Sequence, residues 1–285
     1  MEWKFNRARV LVTALACGGL LMGLATSAHA AARTHGKLLH ITKPGVGIKA
    51  AQSNNWFGYN QGTLEQGGKL FNSITGDWTV PTATQHAAGQ AESSSDWIGI
   101  GGGCIDANCT VGDNTLIQTG TEQDVAANGT ASYSAWWELV PVPSLTISGI
   151  SVHPGDHMHA AISEVVADTD LWNITLKNVT TGQSFSTTVP YTSTHATAEW
   201  IEETPLTIGT SGAGLAALPN LSNTPFTAAT TNGANANLKP SEEIQLIDSS
   251  GKVIGTPSAP NASANGFTAC AGLLLARSSF LVLSS

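Results

Sequence analysis

The sequence predicts an all-β protein made of two packed antiparallel sheets. Short runs of alternating apolar and polar residues recur along the chain, and Gly, Pro, Asn and Asp separate them. After residue 30 no segment keeps the 3.6-residue apolar repeat of an amphipathic helix, because the best candidate, Glu65–Phe71, is too rich in glycine. Alternation of this kind over one large domain, residues 55–285, is typical of a β-sandwich.

Turn residues bound each predicted strand, as VGDN and AANG do before the third and fourth runs. Thr180-Thr181-Gly182 lies between two alternating runs and predicts a hairpin. The stretch 210–237 is rich in Ala, Asn, Thr and Gly and predicts a long loop with short strand pieces. The predicted strands, in order, are GDWTVP, SDWIGI, NTLIQTG, ASYSAWWELV, SLTISGISV, HMHAAISEVV, LWNITLKNV, QSFSTTVP, TAEWIEE, EIQLID, GKVIG and SFLVLS.

Residues 1–30 have the pattern of an export signal. A basic start is followed by an apolar run over 10–24 and by a small-residue cleavage site, Ala28-His29-Ala30. The apolar run is short for a membrane span, and no other stretch approaches one. We therefore expect a secreted, extracellular protein with no membrane association after signal cleavage.

Charge divides the remaining chain into a basic segment, residues 31–54, and an acidic body. The basic segment holds no Asp or Glu, whereas the whole chain has a formal net charge of −8 with only 11% charged residues. The segment fits a charge-complementary propeptide, and it fits a disordered basic leader equally well. An acidic body argues against nucleic acid as a partner, because phosphates need a basic surface.

Export permits disulfides, and two cysteines are suitably placed for one. Cys104 and Cys109 enclose a four-residue loop that a disulfide would close, whereas Cys270 lies in an apolar run and is expected to be a buried thiol. The segment HPGDHMH places His157 and His159 on one strand face beside Asp156. It lacks a distant further ligand, so we interpret these as exposed histidines and expect no metal and no cofactor.

Familiar catalytic motifs are missing: the chain has no HExxH, no GxSxG, no phosphate-binding glycine loop and no Asp-Thr-Gly. Glu199, however, lies in the middle of a predicted strand, on one face with Thr197 and Ile201. Trp136 and Trp137 are consecutive, so they face opposite sides and at most one lies in the core. The other covers a surface or lines a groove for sugars or extended peptides.

Seven short segments lie in the order and spacing of one known family. They are NWFG (55–58), GDWTVP (76–81), WIGI (97–100), LIQTG (116–120), YSAWWE (133–138), NVTTGQ (178–183) and AEWI (198–201). In these segments the chain resembles the glutamic peptidases, or eqolisins, of fungi and their bacterial relatives. The resemblance implies a jelly-roll, concanavalin A-like sandwich with the active site on the concave sheet.

The resemblance also implies an acid endopeptidase that acts on polypeptides with a catalytic dyad of Gln118 and Glu199. We expect this peptidase to be a secreted monomer that is made as a zymogen. The resemblance assigns Trp56, Trp97 and Trp137 to peptide binding, by their match to aromatic positions near the cleft, and leaves Trp78 and Trp136 to packing. One departure is Gly101, which follows WIGI where the fungal members have an Asp. In this chain another residue must take over the function of that acid, or the function is absent.

The chemistry of this pair follows from elementary requirements. Amide hydrolysis needs an activated water, a stabilised oxyanion and a proton for the departing amine. A glutamate can accept and return the proton, and a glutamine remains a neutral donor in acid, where a histidine base would be protonated. Because an ordinary glutamate titrates at about pH 4.3, we expect activity in mildly to strongly acidic solution.

Two alternatives remain open from the residues alone. Glu202 or Glu203, close to Glu199, would also serve as the catalytic acid. A glycoside hydrolase or a carbohydrate-binding, lectin-like module would use the same architecture, and a retaining glycosidase would need two carboxylates about 5–5.5 Å apart. A non-catalytic binding module is the third possibility.

Overall fold

The computed structural model describes residues 32–34, 51–106, 108–209 and 212–272. The predicted export signal, most of the basic segment and the predicted strand SFLVLS (279–284) lie outside these ranges. Within them the fold contains no helix with the length and hydropathy that a membrane span requires.

Almost all regular structure in the described ranges is β-strand, and one short 3₁₀ turn, Pro240–Glu242, precedes β19. The strands are β1 Ala32–Thr34, β2 Ala51–Ser53, β3 Trp56–Gly62, β4 Ser73–Thr79, β5 Ala83–Thr84, β6 Glu92–Gly101, β7 Leu116–Val125, β8 Ala131–Val140, β9 Leu145–Thr146, β10 His157–Glu164, β11 Leu171–Asn178, β12 Ser184–Pro190, β13 Thr197–Glu203, β14 Leu206–Gly209, β15 Gly212–Leu215, β16 Asn220–Leu221, β17 Thr224–Thr231, β18 Ala234–Asn235, β19 Glu243–Ile247, β20 Val253–Pro257 and β21 Phe267–Ala271.

The predicted antiparallel sandwich is confirmed, with its two sheets joined along one side. The main sheet has the strand order β12-β11-β10-β4-β17-β21-β20-β19-β3-β13-β6-β7-β8-β9, and it folds back on itself. One wall is β12-β11-β10-β4-β17, the other is β3-β13-β6-β7-β8, and β21-β20-β19 connect them. Every described pairing between strands is antiparallel except that of β2 with β19.

The inter-sheet core follows from the two-residue period of the strands. In β4, β10 and β11 every second residue is buried, including Trp78, Ile162 and Trp172. From the opposite wall Ile98 and Trp200 enter the same core, and the Trp200 indole Nε1 donates to the Thr75 carbonyl across the sandwich at 2.8 Å. These contacts fix which face of β13 points inwards.

The wall that contains β13 differs because β3, β6 and β13 are buried on both faces. A second apolar cluster covers the face that points away from the inter-sheet core. Its members are Trp56, Trp97, Leu116, Trp136, Ile201 and Ile244. We call this face the outer face of the wall.

Two local predictions were wrong. The stretch 210–237 contains β17, an eight-residue strand, rather than a loop with short pieces only. A register shift between Thr227 and Thr230 hides its alternation, because it moves buried positions out of a regular two-residue period. SLTISGISV keeps only β9, since its remaining residues form turns and irregular backbone.

The histidines of HPGDHMH face an acid on the neighbouring strand β4. His157 Nε2 and His159 Nδ1 lie 2.8 and 2.5 Å from the two carboxylate oxygens of Asp77. Burial alone would raise the pKa of Asp77, but the hydrogen bonds from His159 and His157 hold it below its usual value. Asp156 instead accepts from the His153 amide and from Asn178.

Candidate active site

Five residues form a row across the wall that contains β13. In register order they are Asn60 of β3, Glu199 of β13, Gly99 of β6, Gln118 of β7 and Glu138 of β8. Directly paired residues of antiparallel strands point to the same face. Glu199 and Gln118 therefore share the outer face. Their backbones are two strand spacings, about 10 Å, apart, and Gly99 between them has no side chain.

Gln118 is fully buried, and its amide is oriented by a carboxylate. Its Nε2 donates to Glu138 Oε2 at 3.1 Å. A carboxylate can only accept hydrogen bonds, so it attracts the NH₂ group of the glutamine and repels its amide oxygen. The amide nitrogen carries two hydrogens, and one of them points at Glu138. The contact with Glu138 therefore distinguishes the nitrogen from the oxygen of Gln118 and fixes the direction of its second hydrogen.

Glu199 is also fully buried, and burial raises its pKa well above the usual range of a glutamate. The Thr197 hydroxyl opposes the rise, and the charge of Asp113 adds to it. Although Thr197 is near, neither carboxyl oxygen of Glu199 accepts a hydrogen bond of normal geometry from the described residues. The sequence-based expectation of an ordinary pKa at this position was therefore wrong, because it omitted desolvation.

Residues 102–115, which we call the covering loop, lie against Glu199; Ala107 within it is outside the described residues. The predicted Cys104–Cys109 disulfide is present. The Asn60 side chain donates to the Cys104 carbonyl at 2.9 Å and accepts from the Cys104 amide at 3.0 Å. A Cβ on Gly103 would lie 2.6 Å from Glu199 Oε1, so only glycine allows this close approach.

Gly101, where the resemblance leads one to expect an Asp, has no room for any side chain. Its φ is +96°, and a Cβ there would lie 2.1 Å from the Thr115 carbonyl oxygen. The covering loop brings a different acid, Asp113, close enough to Glu199 to raise its pKa. Asp113 is buried, and it accepts from the Thr115 amide and from the Thr194 hydroxyl. The sequence showed it only as part of a turn.

The structure brings two of the three predicted peptide-binding tryptophans to the outer face. Trp56 and Trp97 pack edge-to-face there, with ring centroids 4.8 Å apart. Trp137 does not reach this face, because it pairs with Thr119 and packs against the inter-sheet core. Its neighbour Trp136, expected only to pack, lies on the outer face and donates from Nε1 to Ser95 at 3.0 Å.

Neither alternative acid is paired with Gln118. Glu202 points into the inter-sheet core, opposite to Glu199. Glu203 shares the outer face with Glu199 but lies four residues along an unbroken strand, about 13 Å away, and accepts from Trp97 Nε1 at 2.8 Å. That separation is also too large for the two carboxylates of a glycosidase.

Known proteins similar to this chain are fungal peptidases. Aspergillopepsin-2 of Aspergillus niger is 27% identical over 209 residues, which cover 66% of this chain and 69% of that protein. Scytalidopepsin B of Scytalidium lignicola is 29% identical over 119 residues, or 42% of this chain and 40% of that protein. Two solved structures of scytalido-glutamic peptidase, each with a transition-state analogue, match with TM-scores of 0.56 and 0.58. They are 20% and 21% identical and cover 76% of this chain and 98% of theirs, a likeness that shows the fold alone.

The fold, the family match and these relatives define a glutamic-type endopeptidase with an eqolisin β-sandwich. The chain belongs to the Peptidase A4 family, whose sequence profile matches residues 54–266.

Proposed function

We propose that this protein is a secreted acid endopeptidase that cleaves polypeptides with a dyad of Gln118 and Glu199. One observation carries the proposal: the two residues lie in a single cross-strand row on the outer face, with the bare backbone of Gly99 between them. Both side chains are fully buried, and the Leu116 and Trp97 side chains lie over Gly99. The proposal therefore requires that the outer face opens, so that one water contacts the carboxylate and the amide together.

In the proposed reaction, ionised Glu199 removes a proton from a water as its oxygen attacks the scissile carbonyl carbon. The developing oxyanion accepts a hydrogen bond from Gln118 Nε2, whose other hydrogen is held by Glu138. When the tetrahedral intermediate collapses, Glu199 returns the proton to the departing nitrogen. Trp56 and Trp97 are fully buried beside the row and would contact a substrate only when the outer face opens, whereas Trp137 has no part in this proposal.

The burial of Glu199 sets the direction of the pH dependence. Its pKa is raised, and the base function needs the ionised form, so activity falls as pH decreases through that raised pKa. The working range therefore lies nearer to mildly acidic solution than the ordinary glutamate value suggests.

Gln118→Ala tests the dyad. We expect kcat/KM on denatured casein in acidic solution to fall by about 10²–10³, the usual effect of removing one oxyanion donor. Gln245→Ala, which removes an amide on β19, should leave the rate unchanged and serves as the control. Sugar release from soluble β-glucans without casein cleavage, or full activity of Gln118→Ala, would exclude this mechanism.

Asp113→Asn tests whether the covering loop tunes Glu199. Because the Asp113 charge raises the Glu199 pKa, its removal should move the acidic limb of the kcat/KM profile to lower pH. The measurement is a pH–rate profile of both proteins, with Asp248→Asn, at a half-buried turn position on the loop after β19, as control. An unchanged limb, or a limb at higher pH, would show that Asp113 does not influence the catalytic acid.

We also propose that the protein is exported with residues 1–30 as signal and activated by loss of the basic segment, 31–54. The family profile begins at residue 54, in support of this boundary. Ala51–Ser53, however, form β2 and pair with β19, so a cut on the amino side of β2 preserves the sheet.

Mass spectrometry before and after a shift to about pH 4 tests processing. We expect a mass loss that ends near residue 50 or 54, and no loss in Glu199→Gln if the chain cuts itself. An intact chain with full peptidase activity would contradict the zymogen proposal.

A further inference from the structure

A second group of polar side chains lies apart from the five-residue row. Glu164 ends β10, Asp170 closes the β10–β11 loop, and His195 lies in the connection from β12 to β13. One ligand atom from each of the three lies within 4.8 Å of the others, and His195 Nε2 is 3.4 Å from Glu164 Oε2. We call these three residues the hairpin cluster.

Neighbouring groups hold Glu164 and His195 in place. Glu164 Oε1 accepts the amides of Thr169 and Asp170 at 2.8 and 2.9 Å. The His195 ring lies against the Trp172 ring, with centroids 5.1 Å apart. The backbone carbonyl of His195 accepts a hydrogen bond from the Phe71 amide at 2.9 Å. Ligands held in this way need little rearrangement to bind an ion.

An orphaned nitrogen points to a ligand. His195 Nε2 is buried in a side chain that is 15% exposed, and it lies 3.4 Å from Glu164 Oε2 without making a hydrogen bond of normal geometry to the described residues. Buried polar atoms are normally satisfied. A cation bound by this nitrogen and by one oxygen of each carboxylate would satisfy it.

We propose that Glu164, Asp170 and His195 bind a divalent transition-metal ion of the zinc type. One imidazole nitrogen and two carboxylate oxygens are ligands that Zn²⁺ accepts, whereas Ca²⁺ and Mg²⁺ prefer oxygen alone. Ligand atoms at about 2.0–2.2 Å from Zn²⁺ are at most about 4.4 Å apart. His195 Nε2 and Glu164 Oε2 are 3.4 Å apart, inside that limit, whereas the cluster as a whole spreads to 4.8 Å, so its most distant ligand atoms must move closer together when the ion binds.

The ion has a structural role, because the cluster lies outside the row that holds Gln118. His195 is four residues before Glu199, and the preceding residue, Thr194, donates to Asp113 of the covering loop. A bound ion therefore ties the β10–β11 hairpin to the entry of β13. The inference does not depend on the proposed dyad, since a structural ion would stabilise the fold of an inactive variant equally.

The test is a titration of the full chain, treated with a chelator and returned to pH 7, where imidazole and carboxylates bind metal. Calorimetry with Zn²⁺ should show one site, and Zn²⁺ should raise the Tm while Ca²⁺ does not. His195→Asn and Asp170→Asn should each weaken Zn²⁺ binding by at least about tenfold. Asparagine is chosen because both positions have positive φ, +56° and +55°, which it tolerates.

The control is the double variant His157→Asn with His159→Asn, which removes the imidazoles beside Asp77 and should retain the zinc site. Replacement by Co²⁺ should give a visible absorption band that His195→Asn loses. The proposal is overturned if the wild-type chain binds no Zn²⁺, if His195→Asn binds it with wild-type affinity, or if the control variant loses it. A lower Tm of metal-free His195→Asn, without zinc binding by the wild type, would identify a simple Glu164–His195 ion pair.

Discussion

We expect Glu199→Gln to abolish peptide hydrolysis and to leave the fold intact. The glutamine has the size of the glutamate but neither accepts a proton from water nor returns one to the departing amine. Since general acid–base catalysis contributes about 10²–10⁴ in rate, kcat/KM should fall by about 10⁴. Stability should be preserved because the buried site already disfavours the charged carboxylate.

The matched control for this experiment is Glu203→Gln, on the same strand and the same face. Glu203 accepts from Trp97 and is not paired with Gln118, so this variant should lose far less activity than Glu199→Gln. Rates are measured on a quenched peptide across the acidic range, with circular dichroism to confirm folding. Full activity of Glu199→Gln together with an inactive Glu203→Gln would transfer the catalytic role to Glu203.

The second large effect concerns stability, and it arises from two acids buried between the sheets. Asp96 of β6 and Glu202 of β13 are cross-strand partners, and both are fully buried. Gln123 donates to Asp96 Oδ2 at 2.9 Å, and Thr224 donates to Glu202 Oε2 at 3.1 Å. The remaining oxygens, Asp96 Oδ1 and Glu202 Oε1, accept no hydrogen bond from donors in the described ranges. Two such carboxyls are stable together when they share a proton.

Burial raises the pKa of Asp96 to about 7 and raises that of Glu202 well above its usual value. The folded state therefore holds protons that the unfolded chain has released, and stability falls as pH rises through this interval. The stability that Asp96 contributes is greatest below pH 3.8, the ordinary pKa of an aspartate, and decreases as the pH rises to about 7.

Urea unfolding at a series of pH values from acid to neutral measures this loss. Glu202→Gln should flatten the decline, because the amide does not ionise and can donate to Asp96. Asp248→Asn, at a half-buried position before a turn, should keep the wild-type slope. A wild-type stability that increases between pH 4 and 7 would refute the shared-proton interpretation of this pair.

The sequence alone determined the fold class and much of the local arrangement. Two-residue alternation predicted β10 and β11, and it placed Glu199 on one face with Thr197 and Ile201. Loop length predicted the Cys104–Cys109 disulfide, and the apolar run predicted the buried thiol of Cys270. Ordered short segments gave the family resemblance, from which the Gln118–Glu199 hypothesis came. These features are local, so a short window of sequence contains them.

Only the tertiary structure decided which faces are covered and which distant residues meet. Alternation separates Trp136 from Trp137 but does not say which one faces the core, because that depends on how β8 pairs with β7 and on what packs over each face. The hydrogen bond of Gln118 to Glu138, the effect of the Asp113 charge on Glu199 and the pairing of Asp96 with Glu202 join residues far apart in the chain. Their charge states depend on burial, and burial is a property of the packed molecule rather than of any segment.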